Sequence, residues 1–180
     1  MKDLIRKILR EYEEQDKILV VPSLTYFNND WNSLQSFLEK KGNPKWRIGG
    51  DLYLMDTQIE SLGNLQSVGG YLNLRNTQIE SLGNLTTVGG NLDLMDTPIE
   101  SLGNLTSVGG YLDLMDTPIE SLGNLTTVGG SLDLRKTSIK SLGNLISVGG
   151  SLDLKSTPIS KKYSEEEIRQ MVDVEGDIYM

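Results

Sequence analysis

The chain of 180 residues contains no cysteine and no histidine. Without cysteine there is neither a disulfide framework nor a thiolate metal site. Without histidine the commonest general base and the commonest metal ligand are both missing. Basic residues are outnumbered 17 to 25 by acidic ones, and the net charge of −8 argues against a nucleic-acid partner, whose backbone asks for a basic stripe. No apolar run is long enough for a membrane span. Met1–Gln15 is charged throughout and lacks a signal-peptide core, so cytoplasmic residence is the expectation.

What is present is one phrase of twenty residues, clearest at 109–128 as GGYLDLMDTPIESLGNLTTV. It begins at Gly49, runs without insertion to Val148, starts again at Gly149 and dissolves after Ile159. A fixed period of this kind predicts a solenoid in which each unit stacks on the next and none folds alone. Leu112, Leu114, Ile119, Leu122, Leu125 and Val128 are apolar in every full copy. Leu112 and Leu114 alternate with Tyr111, Asp113 and Met115, the period of a strand with one wet face. The Gly-Gly pair before the strand and the Gly-Asn inside Leu122–Leu125 read as corners where positive φ is cheap. No stretch within a copy suits an ordinary helix. Leucine burial alone does not cover the entropy of ordering so long a coil. Hydrogen bonds and dispersion between stacked coils must therefore contribute.

The string Leu72-x-Leu74-x-x-Thr77-x-Ile79, followed by Leu82 and Leu85, resembles a leucine-rich repeat. It is more similar still to the flat, helix-free coils of receptor L domains, where a Gly-x-Leu-x-Leu strand also precedes a Thr or Asn. The resemblance spans Gly49 to Ile159, about two thirds of the chain. One departure is that Thr57, Thr77, Thr97, Thr117, Thr137 and Thr157 stand where leucine-rich repeats usually carry asparagine. The resemblance implies the fold and a ligand-binding role, without the horseshoe curvature of helical members.

The expected architecture is a mainly β, single-domain, right-handed parallel β-solenoid with caps. Residues 1–48 form the N-terminal cap, 49–159 the solenoid and 160–180 the C-terminal cap. Within the first cap, Lys2–Gln15 reads as an amphipathic helix with Leu4, Ile5, Ile8 and Leu9 on one face, docked on the solenoid or serving as an addressing tag. The opening MKDLIRKILREY resembles the starts of predicted proteins of large tailed phages. Ile18–Val21, stopped by Pro22, reads as a buried strand beside the first coil. Asp30–Lys41 reads as a helix capped by Asn29 or Asp30 and closed by Gly42, with Trp31, Leu34, Phe37 and Leu38 inward. Trp46 and Ile48 lead into the first Gly-Gly.

In the second cap, Ser164-Glu165-Glu166-Glu167 is a capping box opening a helix to about Val172. Gly176-Asp177-Ile178-Tyr179-Met180 echoes Gly50-Asp51-Leu52-Tyr53-Leu54 and predicts a further strand in repeat register. Asp177, Ile178, Tyr179 and Met180 would then form an open edge, a candidate for pairing into a homodimer.

Stacking turns each variable position into a column. The Asp, Thr and Asn columns read as structural ladders; a line of carboxylates does not wrap a metal ion, so neither metal nor cofactor is expected. Tyr53, Tyr71, Asp93, Met95, Tyr111, Asp113 and Met115 combine tyrosine, methionine and charge on the wet face, a composition that contact surfaces favour. These residues point to a non-enzymatic module that offers a flat sheet face to a protein partner. The alternatives are a self-assembling structural protein or, further off, a carbohydrate-active or ice-binding solenoid. Evenly repeated acids, with no break inside residues 49–148, argue against an enzyme.

Overall fold

The computed structural model describes residues 18–180, so the helix expected over Lys2–Gln15 lies outside the described residues. Two all-parallel sheets run the length of the molecule, and each Gly-Gly pair marks the passage from one to the other. The strand before each pair joins an eight-stranded sheet, from Ile18–Val21 and Lys45–Ile48 through Leu65–Val68, Thr87–Val88, Ser107–Val108, Thr127–Val128 and Ser147–Val148 to Asp173–Val174. The strand after it joins a seven-stranded sheet, from Leu52–Tyr53 through Leu72–Asn73, Leu92–Asp93, Leu112–Asp113, Leu132–Asp133 and Leu152–Asp153 to Ile178–Tyr179. The sequence pattern points to the second sheet and to Ile18–Val21 of the first; the repeated strands Thr87–Val88, Ser107–Val108, Thr127–Val128 and Ser147–Val148 offer one inward Val after a Ser or Thr, too little to mark a strand.

Identical residues stack. Leu112 faces Leu92 on one side and Leu132 on the other. Leu72 N–H donates to the Asn91 carbonyl at 2.9 Å and Gly89 N–H to the Val68 carbonyl at 2.8 Å, so neighbouring coils are hydrogen-bonded along both sheets. All six apolar positions of the 109–128 coil are buried, and with their equivalents they form one continuous core. The molecule is thus a parallel β-solenoid, with its apolar side chains inside.

The glycine pairs do not act as expected. Gly69, Gly70, Gly89 and Gly90 have no positive φ; the left-handed glycines of the coils are Gly63, Gly83, Gly103, Gly123 and Gly143. The pairs are glycine because successive coils touch there: a Cβ on Gly90 would lie 2.8 Å from the Gly70 carbonyl carbon. The third corner is turned by non-glycine residues, Asp56, Asn76, Asp96, Asp116, Lys136 and Ser156, all with φ between 54° and 62°. The Thr that follows donates its hydroxyl within its own coil, as from Thr77 Oγ1 to the Leu74 carbonyl at 2.7 Å, and not across to the next coil. The corner asparagines do bridge coils, as from Asn104 Nδ2 to the Gly83 carbonyl at 3.0 Å.

Both caps continue the coil. Val21-Pro22 takes the place of a preceding Val-Gly, accepting from Gly49 and Gly50 N–H at 2.9 and 3.0 Å. The helix Trp31–Lys40 is capped by Asp30 and lays Leu34 and Leu38 on the core. Trp31 leans on the buried Trp46 with ring centroids 6.1 Å apart. At the other end Leu152 pairs with Ile178 after 26 residues, because a 3₁₀ turn at Ile159–Lys161 and the helix Glu165–Met171 are let into the last coil. The capping box of Ser164 and Glu167 is formed in both directions.

Candidate interaction face

The outer face of the seven-stranded sheet carries three columns. The first follows each Gly-Gly pair: Asp51, Tyr71, Asn91, Tyr111, Ser131, Ser151 and Asp177. Where this residue is short and polar, its side chain accepts the next coil's N–H; Asp51 Oδ1 takes Tyr71 N–H at 2.8 Å and Asn91 Oδ1 takes Tyr111 N–H at 2.9 Å. The two tyrosines lean forward over the following coil instead. Tyr71 donates its hydroxyl to Asp93 Oδ2 at 3.3 Å, and Tyr111 to Asp133 Oδ2 at 3.2 Å. Tyr53 meets the Tyr71 ring edge-on at 5.4 Å and donates its hydroxyl to Asp51.

The second column is Tyr53, Asn73, Asp93, Asp113, Asp133, Asp153 and Tyr179. The expectation of a fully wet face fails here, since Asn73, Asp113 and Asp133 are buried. Asn73 Nδ2 meets Met55 Sδ at 3.6 Å, and the Tyr111 hydroxyl and Arg135 guanidinium both donate to Asp133. Each acid or amide spends one oxygen on the amide two residues ahead, as in Met95 N–H to Asp93 Oδ1 at 3.0 Å and Met115 N–H to Asp113 Oδ1 at 2.9 Å. That bond holds the strand end as it enters the left-handed corner.

The second oxygens are treated unequally. Asp133 is pinned by the Arg135 guanidinium, whose Nε also stands 3.8 Å from Asp153 Oδ2; Lys155 Nζ reaches the same Asp153 oxygen at 3.2 Å. Asp113 has no such partner among the described residues. Burial, then the neighbouring charges of Asp133 and Asp93, pushes its carboxyl above the usual aspartate range in spite of the Met115 amide. Burial acts on Asp133 too, but the hydrogen bonds and charge of Arg135 outweigh it and hold that carboxyl low. Burial and the Asp93 charge push the Tyr71 hydroxyl up to about 12. Tyr111 is raised by the same causes, burial first and then Asp113 and Asp133, so both rings stay neutral donors.

The third column is Met55, Arg75, Met95, Met115, Arg135 and Lys155. Tyr53 is 55% and Met55 44% exposed, while Tyr71, Met95, Tyr111 and Met115 are half-buried. All seven residues expected at a contact surface therefore lie on one face, with Asp113 sunk beneath it. Arg135 and Asp133 belong to the same network and were passed over; the signal was the change from Met to Arg and Lys along the third column. Of the edge candidates, Ile178 and Tyr179 form the last strand and Asp177 and Met180 flank it, with Tyr179 lying under Lys155 Nζ at 4.2 Å from the ring centroid.

The eight-stranded sheet presents an unlike surface. Ser67, Thr87, Ser107, Thr127 and Ser147 line an open trough, and the hydroxyls of Thr86, Thr106 and Thr126 beside it are bonded to carbonyls of the preceding coil.

No protein-family model matches this sequence, and comparison with curated proteins and with solved structures gives no match.

Proposed function

We propose that the protein is a non-enzymatic interaction module that offers the outer face of the seven-stranded sheet to a protein partner. The observation that carries this reading is the run of Tyr53, Met55, Tyr71, Met95, Tyr111 and Met115 along one rigid face, with both inner tyrosines anchored by carboxylates of the following coil. Tyrosine and methionine supply large contact areas at interfaces. Side chains already held in place lose little freedom on binding. The likeness of the coil to receptor L domains supports the same role. The acids of the face are engaged with their own turns, which suits a positioning part better than a chemical one.

The test is a comparative pull-down from the native source with the full chain as bait. Tyr53→Ser/Met55→Ser/Met95→Ser removes the two exposed residues and the half-buried Met95 and touches neither the Tyr71 nor the Tyr111 hydrogen bond. Thr87→Ala/Thr127→Ala alters the opposite sheet. A partner kept by the wild type and the second variant, and lost by the first, is the expected result. Equal recovery by all three baits would overturn the reading.

A further inference from the structure

We propose that this face receives an arginine side chain of the partner protein, its guanidinium laid across Asp93 and Asp113 between the rings of Tyr71 and Tyr111. The inference rests on the sheet-face reading above and specifies what the partner must bring.

The acids of the second column differ in what stands two residues after them. Asp133 and Asp153 are followed by Arg135 and Lys155, and both basic side chains fold back on them. Asp93 and Asp113 are followed by Met95 and Met115. Tyr71 gives Asp93 one neutral hydrogen bond, and no basic side chain among the described residues pairs with either carboxylate. Asp113 is only 7% exposed, so its charge is held largely out of water without a counter-ion. The fold does not require a charge there. Asn73 occupies the same column, equally buried, and makes the same bond to the amide two residues ahead at 3.1 Å. Two uncompensated carboxylates where an amide suffices ask for a cation from outside.

The chain itself shows how an arginine sits on this column. Arg135 places its guanidinium on Asp133 and reaches toward Asp153 in the next coil, so that one side chain spans two rungs. Asp93 and Asp113 are neighbouring rungs in the same parallel register as Asp133 and Asp153. A planar fork fits two stacked carboxylates and lies flat on a tyrosine ring, which a lysine ammonium does less well. Met95 and Met115, unbranched and polarisable, can settle around the arriving stem. The acidic balance of the chain would also speed the approach of a partner that is basic at this contact.

The experiment is selection of a random peptide display library on the immobilised full chain, followed by binding of the enriched peptides as synthetic versions. Enriched peptides are expected to carry arginine. Arginine→citrulline in the peptide, or Asp93→Asn/Asp113→Asn in the protein, should weaken binding about tenfold or more, and added salt should weaken it too. Asn73 shows that asparagine is accepted in this column, so loss of binding by that variant is not loss of fold. Enrichment without arginine, undiminished binding of the citrulline peptide or of the double variant, or equal binding of a lysine peptide would each overturn the proposal. Peptides that lack arginine but are lost with Tyr53→Ser/Met95→Ser leave the sheet-face reading standing while this inference falls. Peptides indifferent both to Tyr53→Ser/Met95→Ser and to Asp93→Asn/Asp113→Asn bring down both.

Discussion

Arg169 donates from Nη1 to the carbonyl of Val174 at 2.9 Å, and from Nη2 to that of Gly176 at 3.0 Å. In the interior the matching carbonyls of Val88 and Gly90 accept from Gly109 and Gly110 of the next coil. The guanidinium, steadied by Glu165 one helical turn back, therefore stands where a further coil would bring two N–H groups. A charged side chain laid on a strand edge discourages pairing with another chain.

Removing it tests that role. Arg169→Met keeps much of the stem and takes away both donors. Its side chain is 39% exposed, so water replaces part of what is lost, and the expected destabilisation is about 1 kcal/mol in chemical denaturation. The uncovered edge should also make the variant associate as concentration rises. Sedimentation velocity that shows the variant as monodisperse as the wild type at every concentration would remove the stopper from this account.

The two glycine classes should respond differently to alanine. A Cβ at Gly130 would lie 2.9 Å from both the Gly110 carbonyl carbon and Tyr111 N, backbone atoms of the preceding coil. Gly130→Ala must push two coils apart, and a loss of about 2 kcal/mol or more in denaturation is expected. Gly63 is left-handed at φ +60 with open space around it. Gly63→Ala meets only the backbone preference and should lose about 1 kcal/mol. Equal effects would show that coil contact at the Gly-Gly pair is unimportant.

These glycines mark how far the sequence could be read. Period, strand position and burial follow from Leu72, Leu74 and their equivalents, because one coil's pattern is repeated in register with the next. The echo of Gly50–Leu54 in Gly176–Met180 likewise placed the final strand. Why Gly-Gly is glycine, and why Asp113 is buried, depends on what the adjacent coil or a leaning tyrosine does in space. Spacing along one chain carries no sign of that. The seven face residues were legible as a group; their split into paired and unpaired acids was not.

Lys136 turns a corner at φ 55 where aspartate or asparagine stands in four other coils. Those residues tolerate the left-handed region better than lysine does. Lys136 is also bonded to Asp116 at 3.2 Å, but the pair is exposed and contributes little. Asn76 already shows the substitute contact, from its Nδ2 to Asp56 at 2.9 Å. Lys136→Asn is therefore expected to stabilise by about 0.5 kcal/mol, read as a higher denaturation midpoint. A lower midpoint would mean that the ion pair outweighs the backbone.

Asp113 should make stability depend on pH with an unusual sign. Its carboxyl is raised in the folded chain, so the fold binds that proton more tightly than the unfolded chain does. Its contribution to stability then declines as pH climbs from the ordinary aspartate range through the folded pKa. Asp133, held low, contributes stability above the ordinary range that is lost as pH falls. Asp133 is common to wild type and Asp113→Asn, so a comparison of the two isolates Asp113. The variant should be the more stable at neutral pH, and its advantage should vanish in acid, where Asp113 is protonated folded or unfolded. An advantage that is the same at both would show that the charge is not what burial penalises.

Salt provides the last test, because the coil stacks like charges. Glu60, Glu80, Glu100 and Glu120 follow one another along the solenoid, and Lys140 ends the run by pairing with Glu120. Two unit charges about 5 Å apart in water repel by about 0.8 kcal/mol before screening. The ion pairs that salt would weaken are mostly exposed, as at Lys140–Glu120 and Lys136–Asp116, and such pairs contribute little. Repulsion should dominate in a chain of net charge −8, so added salt is expected to raise the melting temperature. Lys140→Glu lengthens the acidic run and should steepen the rise. A wild-type melting temperature that stands still or drops over moderate salt would mean that the ladders are spaced or hydrated well enough not to strain the fold.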